Sequence, residues 1–346
     1  MFSFKKYIAI VTISLLGLSS TMAQEGNFSK EEIEFQNKVR NHLIAAREYK
    51  SAGKEDLAKL EIDSALRLAP RNWVANTMMG DLMNDRSDYL HALLSYDKAI
   101  LLNSTNPNLY FKRAELHIIL NNHRDYIISD YNRAISLSPK NNLYYIRKAY
   151  YYAHSVNPSN FKTDYQSAII TISEALIIEP ENTELLYLKS KYLLGNQQNL
   201  AALTELNKAI LIEPANDVFL AQRGNVNFEI TRFREALTDF TKAIRINNNS
   251  YAYFKYRGHA NFNLDQYSLA YDDYSSSIDL IISRIAATRG SVTNDGSLNK
   301  DLRSLLLFRG MSLVQDDRPY DGCDDFKRSY QMGETKARNY IRKYCN

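Results

Sequence analysis

The sequence predicts an all-α solenoid of helix-turn-helix repeats closed by a C-terminal capping helix. Three observations predict it. First, a short phrase recurs: DSALRLAP, DKAILLNS, NRAISLSP, SEALIIEP, NKAILIEP and TKAIRINN. Their alanines are Ala65, Ala99, Ala134, Ala175, Ala209 and Ala243, at steps of 34, 35, 41, 34 and 34, and Ser277 and Ser329 continue the series. A fixed period near 34 marks a helical repeat array. Second, a small residue recurs nineteen positions before the alanine, at Ala46, Gly80, Ser190, Gly224, Gly258 and Gly310, with Ala114 and Ala149 in the same part. Third, a bulky residue sits three before the alanine: Ile62, Tyr96, Tyr131, Ile172, Leu206, Phe240, Tyr274 and Phe326.

The physics of the pattern is simple. Small residues at a helix crossing let two antiparallel helices approach, and bulky neighbours fill the space that remains. Proline after the phrase stops the second helix, since it cannot donate the next hydrogen bond. No repeat can bury its own faces, so stacking supplies the core. Separate helical bundles would not share one register.

The chain resembles the tetratricopeptide repeat (TPR) family, whose pattern is W-x2-L-G-x2-Y on one helix and A-x3-F-x2-A-x4-P on the next. LAQRGNVNF with REALTDFTKAIRIN, from Leu220 to Asn247, matches best. The resemblance covers residues 39–333 in about eight repeats and implies a right-handed superhelix.

The flanks follow in order. Residues 1–23 read as a signal peptide: Lys5 and Lys6, then the apolar run YIAIVTISLLGL, then small residues before Gln24. The run is short for a membrane anchor, so the expectation is an exported protein, periplasmic or secreted, with no membrane span in the mature chain. Residues 24–38 should hold a lead-in helix, and Ser29 with Glu32 fits a capping box. An insertion, NPSNFKTD, falls near 157–164. Repeat seven should extend its second helix to about Ala287, and a polar loop should follow near 289–299, with Asp295-Gly296 as a turn. Either irregular segment is a surface loop or a partner contact. Residues 334–346 should form the capping helix that a solenoid end requires. Cys323 and Cys345 fall at points that antiparallel neighbours bring together, so a structural disulfide is expected, with free thiols as the alternative.

A charge pair hides in the period. Arg113, Arg223, Arg257 and Arg309 each precede the small residue of a first helix. The same four repeats carry Asp130, Asp239, Asp273 and Asp325 just before the second-helix aromatic, and repeat five has Lys189 and Glu205. Arg and Asp should meet at the crossing, where a guanidinium fork suits a carboxylate. A surface track of charge for ligands is the other reading.

No catalytic motif appears. There is no H-E-x-x-H, no G-x-S-x-G and no phosphate-binding glycine loop among the six histidines and twelve glycines. The expectation is no enzyme, no cofactor and no metal. With 43 basic against 39 acidic residues the chain is near neutral, so nucleic acid is not implied.

The resemblance implies that first helices line a concave groove. That places Ile146, Tyr150, Tyr187, Lys191, Asn225, Phe228, Lys255, His259 and Phe262 there, a mixed polar and aromatic surface. Such a surface suits a protein or peptide segment. The expected function is a protein–protein interaction scaffold of the cell envelope or secreted space. The alternatives are a structural component of an envelope assembly and a glycan-capturing accessory protein. In NLYYIRKAYYYAH, Tyr145 and Tyr152 should be buried, Tyr144 and Tyr151 should lean toward neighbouring repeats, and Tyr150 should be exposed. Oligomeric state is not legible.

Overall fold

The computed structural model describes residues 29–155, 163–287 and 296–345. Every regular element among them is a helix. The expected signal peptide and most of the 157–164 insertion lie outside the described residues. The chain divides into two compact units, Met1–Tyr150 and Tyr151–Asn346.

The first unit contains α1 (Lys30–Ser51), α2 (Glu55–Leu68), α3 (Trp73–Asp85), α4 (Tyr89–Leu102), α5 (Pro107–Ile119) and α6 (Arg124–Leu137). It also holds most of α7 (Asn142–His154). The second unit contains α8 (Tyr165–Ile178), α9 (Thr183–Gly195), α10 (Asn199–Ile212), α11 (Asp217–Glu229), α12 (Phe233–Ile246), α13 (Tyr251–Asn263), α14 (Tyr267–Ala287), α15 (Gly296–Gln315), α16 (Cys323–Gln331) and α17 (Ala337–Tyr344). Odd-numbered helices from α1 to α15 are the first helices of successive repeats and even-numbered ones the second. The lead-in segment merges with the first repeat as the single helix α1. Ser29 caps it, accepting from the Glu32 amide while Glu32 accepts from the Ser29 amide.

Five first helices are started by the same device. Asn72, Asn106, Asn141, Asn182 and Asn216 stand seven residues after the repeat alanine, and each side-chain oxygen accepts from a first-turn amide. An Asn cap contributes about 1 kcal/mol. Each second helix stops just before a proline in four repeats: Pro70, Pro139, Pro180 and Pro214 follow Leu68, Leu137, Ile178 and Ile212 by two residues.

The turn inside each described repeat holds one residue in the left-handed region: Gly53, Ser87, Asn121, Gln197, Thr231, Asp265 and Asp317, with φ between 52° and 68°. Only the first is glycine. The backbone demand is periodic while the residue type is not.

The crossing is as tight as the small residues require. A Cβ added at Gly80 would lie 2.5 Å from the Tyr96 ring, at Gly258 2.7 Å from Tyr274, and at Gly310 2.7 Å from Phe326. Tyr131, Phe240, Tyr274 and Phe326 are fully buried. In α7, Tyr145 and Tyr152 are buried and Tyr150 is 49% exposed. Tyr144 packs 5.2 Å from the Phe111 ring and donates to Asn108 Oδ1 at 2.6 Å.

One expectation fails. The loop expected near 289–299 ends sooner, because Gly296–Asn299 forms the first turn of α15, while Asp295 lies outside the described residues. The reason is an apolar stripe. Leu298, Leu302 and Leu305 are spaced by four and three residues, and they bury against Ile278 and Ile281 of the extended α14. The capping helix is also shorter than 334–346. Gly333, at φ +96°, ends α16, and α17 begins at Ala337.

Candidate functional site

The four expected Arg–Asp pairs are all present as two-pronged contacts. Arg113 donates Nε to Asp130 at 2.8 Å and Nη2 at 2.7 Å. Arg223 does the same to Asp239 at 2.9 and 2.7 Å, and Arg309 to Asp325 at 2.7 and 2.7 Å. Arg257 meets Asp273 through Nε at 3.0 Å and Nη2 at 2.5 Å. The carboxylates are buried and the guanidinium groups about one-fifth exposed. In repeat five Lys189 takes Glu205 at 2.9 Å.

A third contact was not legible. The remaining Arg nitrogen reaches back to the preceding repeat: Arg113 to Asp97 at 2.7 Å, Arg223 to Asn207 at 2.8 Å, and Arg309 to Ser275 at 3.3 Å. Asp97, Asn207 and Ser275 all stand two residues before the repeat's small residue. The partner's place is periodic, but its type varies among Asp, Asn and Ser. These arginines therefore join three helices rather than two. The hydrogen bond from Arg113 to Asp130 pushes the arginine's pKa further up. At Asp273 burial outweighs the Arg257 contact and holds the carboxyl above its usual range.

The expected groove residues separate into three sets. Ile146 is half-buried, and Tyr150 lies under the Arg147 guanidinium at 5.8 Å; both belong to the first unit. In the second unit Tyr187 packs on Phe219 at 5.5 Å, and the exposed Lys191 stands 5.6 Å over the Tyr187 ring. Burial raises the Tyr187 pKa. The third set is an aromatic cluster. Phe228 meets Phe233 edge-on at 5.2 Å and lies 6.4 Å from His259. Phe262 meets Tyr267 edge-on at 5.3 Å.

His259 is the centre of that cluster. Phe308 lies 4.7 Å away, Tyr274 5.3 Å and Tyr256 6.1 Å. Its Nδ1 is 2.8 Å from the Tyr274 hydroxyl. With the hydroxyl donating, the neutral ring carries its proton on Nε2. Burial, helped by the Lys255 charge, lowers its pKa from 6.5 to about 4. Lys255 is not a free cation: its Nζ lies 3.0 Å from Asp301 and 5.0 Å over the Tyr256 ring. Tyr251 also donates to Asp301, at 3.0 Å.

Tyr256, Asp301 and Phe308 were missed. Asp301 and Phe308 lie within the step of 52 residues between Ser277 and Ser329. Asn225 is half-buried on α11, and its carboxamide oxygen is buried with no hydrogen-bond partner. A buried acceptor left open in this way costs about 1–3 kcal/mol.

Cys323 and Cys345 are joined, with sulfurs 2.18 Å apart and Cα atoms 5.5 Å apart. The bond fastens α17 to the start of α16. Tyr340 stacks on Phe326 at 4.9 Å, and Ala337 is fully buried. No group of three metal-ligating side chains gathers among the described residues. No described helix is long and apolar enough to cross a membrane.

No family model and no curated protein matches the chain. Solved structures do. The C-terminal part of a TPR repeat-containing protein from Cytophaga hutchinsonii is similar at 15% identity and a TM-score of 0.58, covering 76% of this chain and 98% of that one. A tetratricopeptide repeat protein from Parabacteroides merdae is similar at 15% identity and a TM-score of 0.39, over 90% of this chain and 100% of that one. The first of these likenesses shows the fold: the chain is an all-α TPR-type solenoid.

Proposed function

We propose that the chain is a non-catalytic protein-interaction scaffold, exported to the cell envelope or beyond, that holds an extended protein segment. The seat is the first-helix surface of the second unit. Tyr187, Lys191, Asn225 and Phe228 supply it, with the His259 cluster in the same unit. The observation that carries the reading is Asn225. Its buried carboxamide oxygen has no partner within the chain and lies on a first helix at a position that the TPR resemblance places in the groove, and a backbone N–H that reached it would satisfy it. The half-buried rings of Tyr187 and Phe228 supply apolar contact.

The packing of these rings weighs toward peptide over glycan. Tyr187 is committed to Phe219, Phe228 to Phe233 and Phe262 to Tyr267, so each ring already shares part of its surface with another. The test is a peptide-display selection against the whole chain, followed by titration of the selected segment. Asn225→Ala and Phe228→Ala should each weaken binding about tenfold or more, with helical content unchanged. Selection of no segment, or affinities unmoved by both substitutions, would sink the proposal.

A further inference from the structure

We infer that the C-terminal cap is a docking surface for anionic lipid headgroups. This surface is separate from the first-helix residues proposed to hold a protein segment. Between Lys327 and Lys343 the chain carries Lys327, Arg328, Lys336, Arg338, Arg342 and Lys343, all exposed, against the single acid Glu334. Helix α17 itself contains no acid. Its buried side is Ala337 with Tyr340 and Ile341, which rest on Leu307 and Phe326. Arg338, Asn339, Arg342 and Lys343 fall on the opposite arc of the helix at 100° per residue.

In the rest of the second unit the cations at the helix crossings are held inside the chain: Lys189 by Glu205, Arg223 by Asp239, Lys255 by Asp301, Arg257 by Asp273 and Arg309 by Asp325. On the cap, Lys327, Arg328, Lys336, Arg338 and Lys343 form no ion pair among the described residues. The disulfide between Cys323 and Cys345 holds the two short helices together and so fixes the positive arc in place. The capping need of a solenoid explains a polar outer face; it does not explain six cations against Asp324 and Glu334 there.

Lipid is favoured over an acidic protein by the company the cations keep. Tyr330, 43% exposed, stands one turn from Lys327 on α16. The cap offers no exposed aliphatic patch for a protein to bury. Tyrosine beside lysine and arginine is the composition that sits at a headgroup layer.

Co-sedimentation with vesicles tests this, using the oxidised protein after removal of its first 23 residues. The vesicles are phosphatidylcholine with or without about 40% phosphatidylglycerol, in about 50 mM and about 500 mM salt. The expected result is binding to the anionic vesicles at low salt only. The double variant R338E/K343E should lower partition about 25-fold or more, at about fivefold for each cation lost. Asn225→Ala should bind vesicles as the parent does, which separates this proposal from the protein-segment reading. Equal partition of parent and R338E/K343E overturns the inference. So does binding of polyglutamate without binding of anionic vesicles, or no binding to either vesicle.

Discussion

The two units use the same register for different chemistry. In repeats two and three of the first unit the residue after the small crossing residue is an acid held by a cation of the next repeat. Asp81 takes Lys112 at 2.5 Å and the Tyr96 hydroxyl at 2.6 Å. Glu115 takes Arg147 and the Tyr131 hydroxyl. In the second unit that position carries Lys191, Asn225 and His259, and the group that meets His259 from the next repeat is the ring of Phe308. The backbone period is shared, but repeats two and three of the first unit pair these charges inside the chain. The second unit leaves the Asn225 amide oxygen without a partner and the exposed Lys191 amine without an ion pair among the described residues. The fold and the proposed binding surface are thus assigned to different positions of one repeat.

The largest expected effect tests what the units share. Asp130→Ala in the first unit and Asp239→Ala in the second should each cost about 3 kcal/mol, because each strands a partly buried guanidinium. Chemical denaturation of the two variants should give similar losses. A loss confined to one unit would show that the crossing device is not common to both.

The next effect sharpens the difference. Only the second unit places a buried histidine at this register. The neutral form of His259 is favoured in the folded chain, with a pKa of about 4 against an ordinary 6.5. The unfolded chain therefore binds the extra proton between those values. The stability it contributes is complete above pH 6.5 and is lost as the pH falls toward 4, on the order of 2 kcal/mol. His259→Phe should flatten that part of the pH–stability profile. A profile unchanged by the substitution would refute the assignment.

A smaller effect bears on the turns. Thr231, at φ 62°, is β-branched in a region that suits glycine. Thr231→Gly should stabilise by about 0.5–1 kcal/mol, visible as a raised denaturation midpoint. The smallest effect belongs to the first-unit ladder. Lys112→Met should cost no more than about 1 kcal/mol, less in high salt, since both partners are near the surface.

Much of this was legible in the sequence, and the parts that were not share a cause. Small and bulky residues at fixed spacing mark the crossing because sterics admits few residue types there. Arg and Asp were legible together for the same reason, since a two-pronged contact needs that pair. The third contact of Arg113, Arg223 and Arg309 was hidden because Asp97, Asn207 and Ser275 serve one hydrogen bond equally well. The left-handed turn residue was hidden because six of its seven occupants are not glycine. The start of α15 was hidden because Gly296 and Asn299 are loop-forming residue types, and burial of Leu298 outweighs them. Asp301 escaped because it falls on the extra N-terminal turns of α15, which have no counterpart in the 34-residue period.

The central claim is that the second unit's first-helix face, and not the first unit's, holds a protein segment. Amide hydrogen exchange of the whole chain, with and without a segment obtained by display selection, tests it most directly. Added protection in α9, α11 and α13, with α3 and α5 unchanged, is the predicted result. Protection concentrated in α3 and α5, or in the second helices α10 and α12, would contradict it.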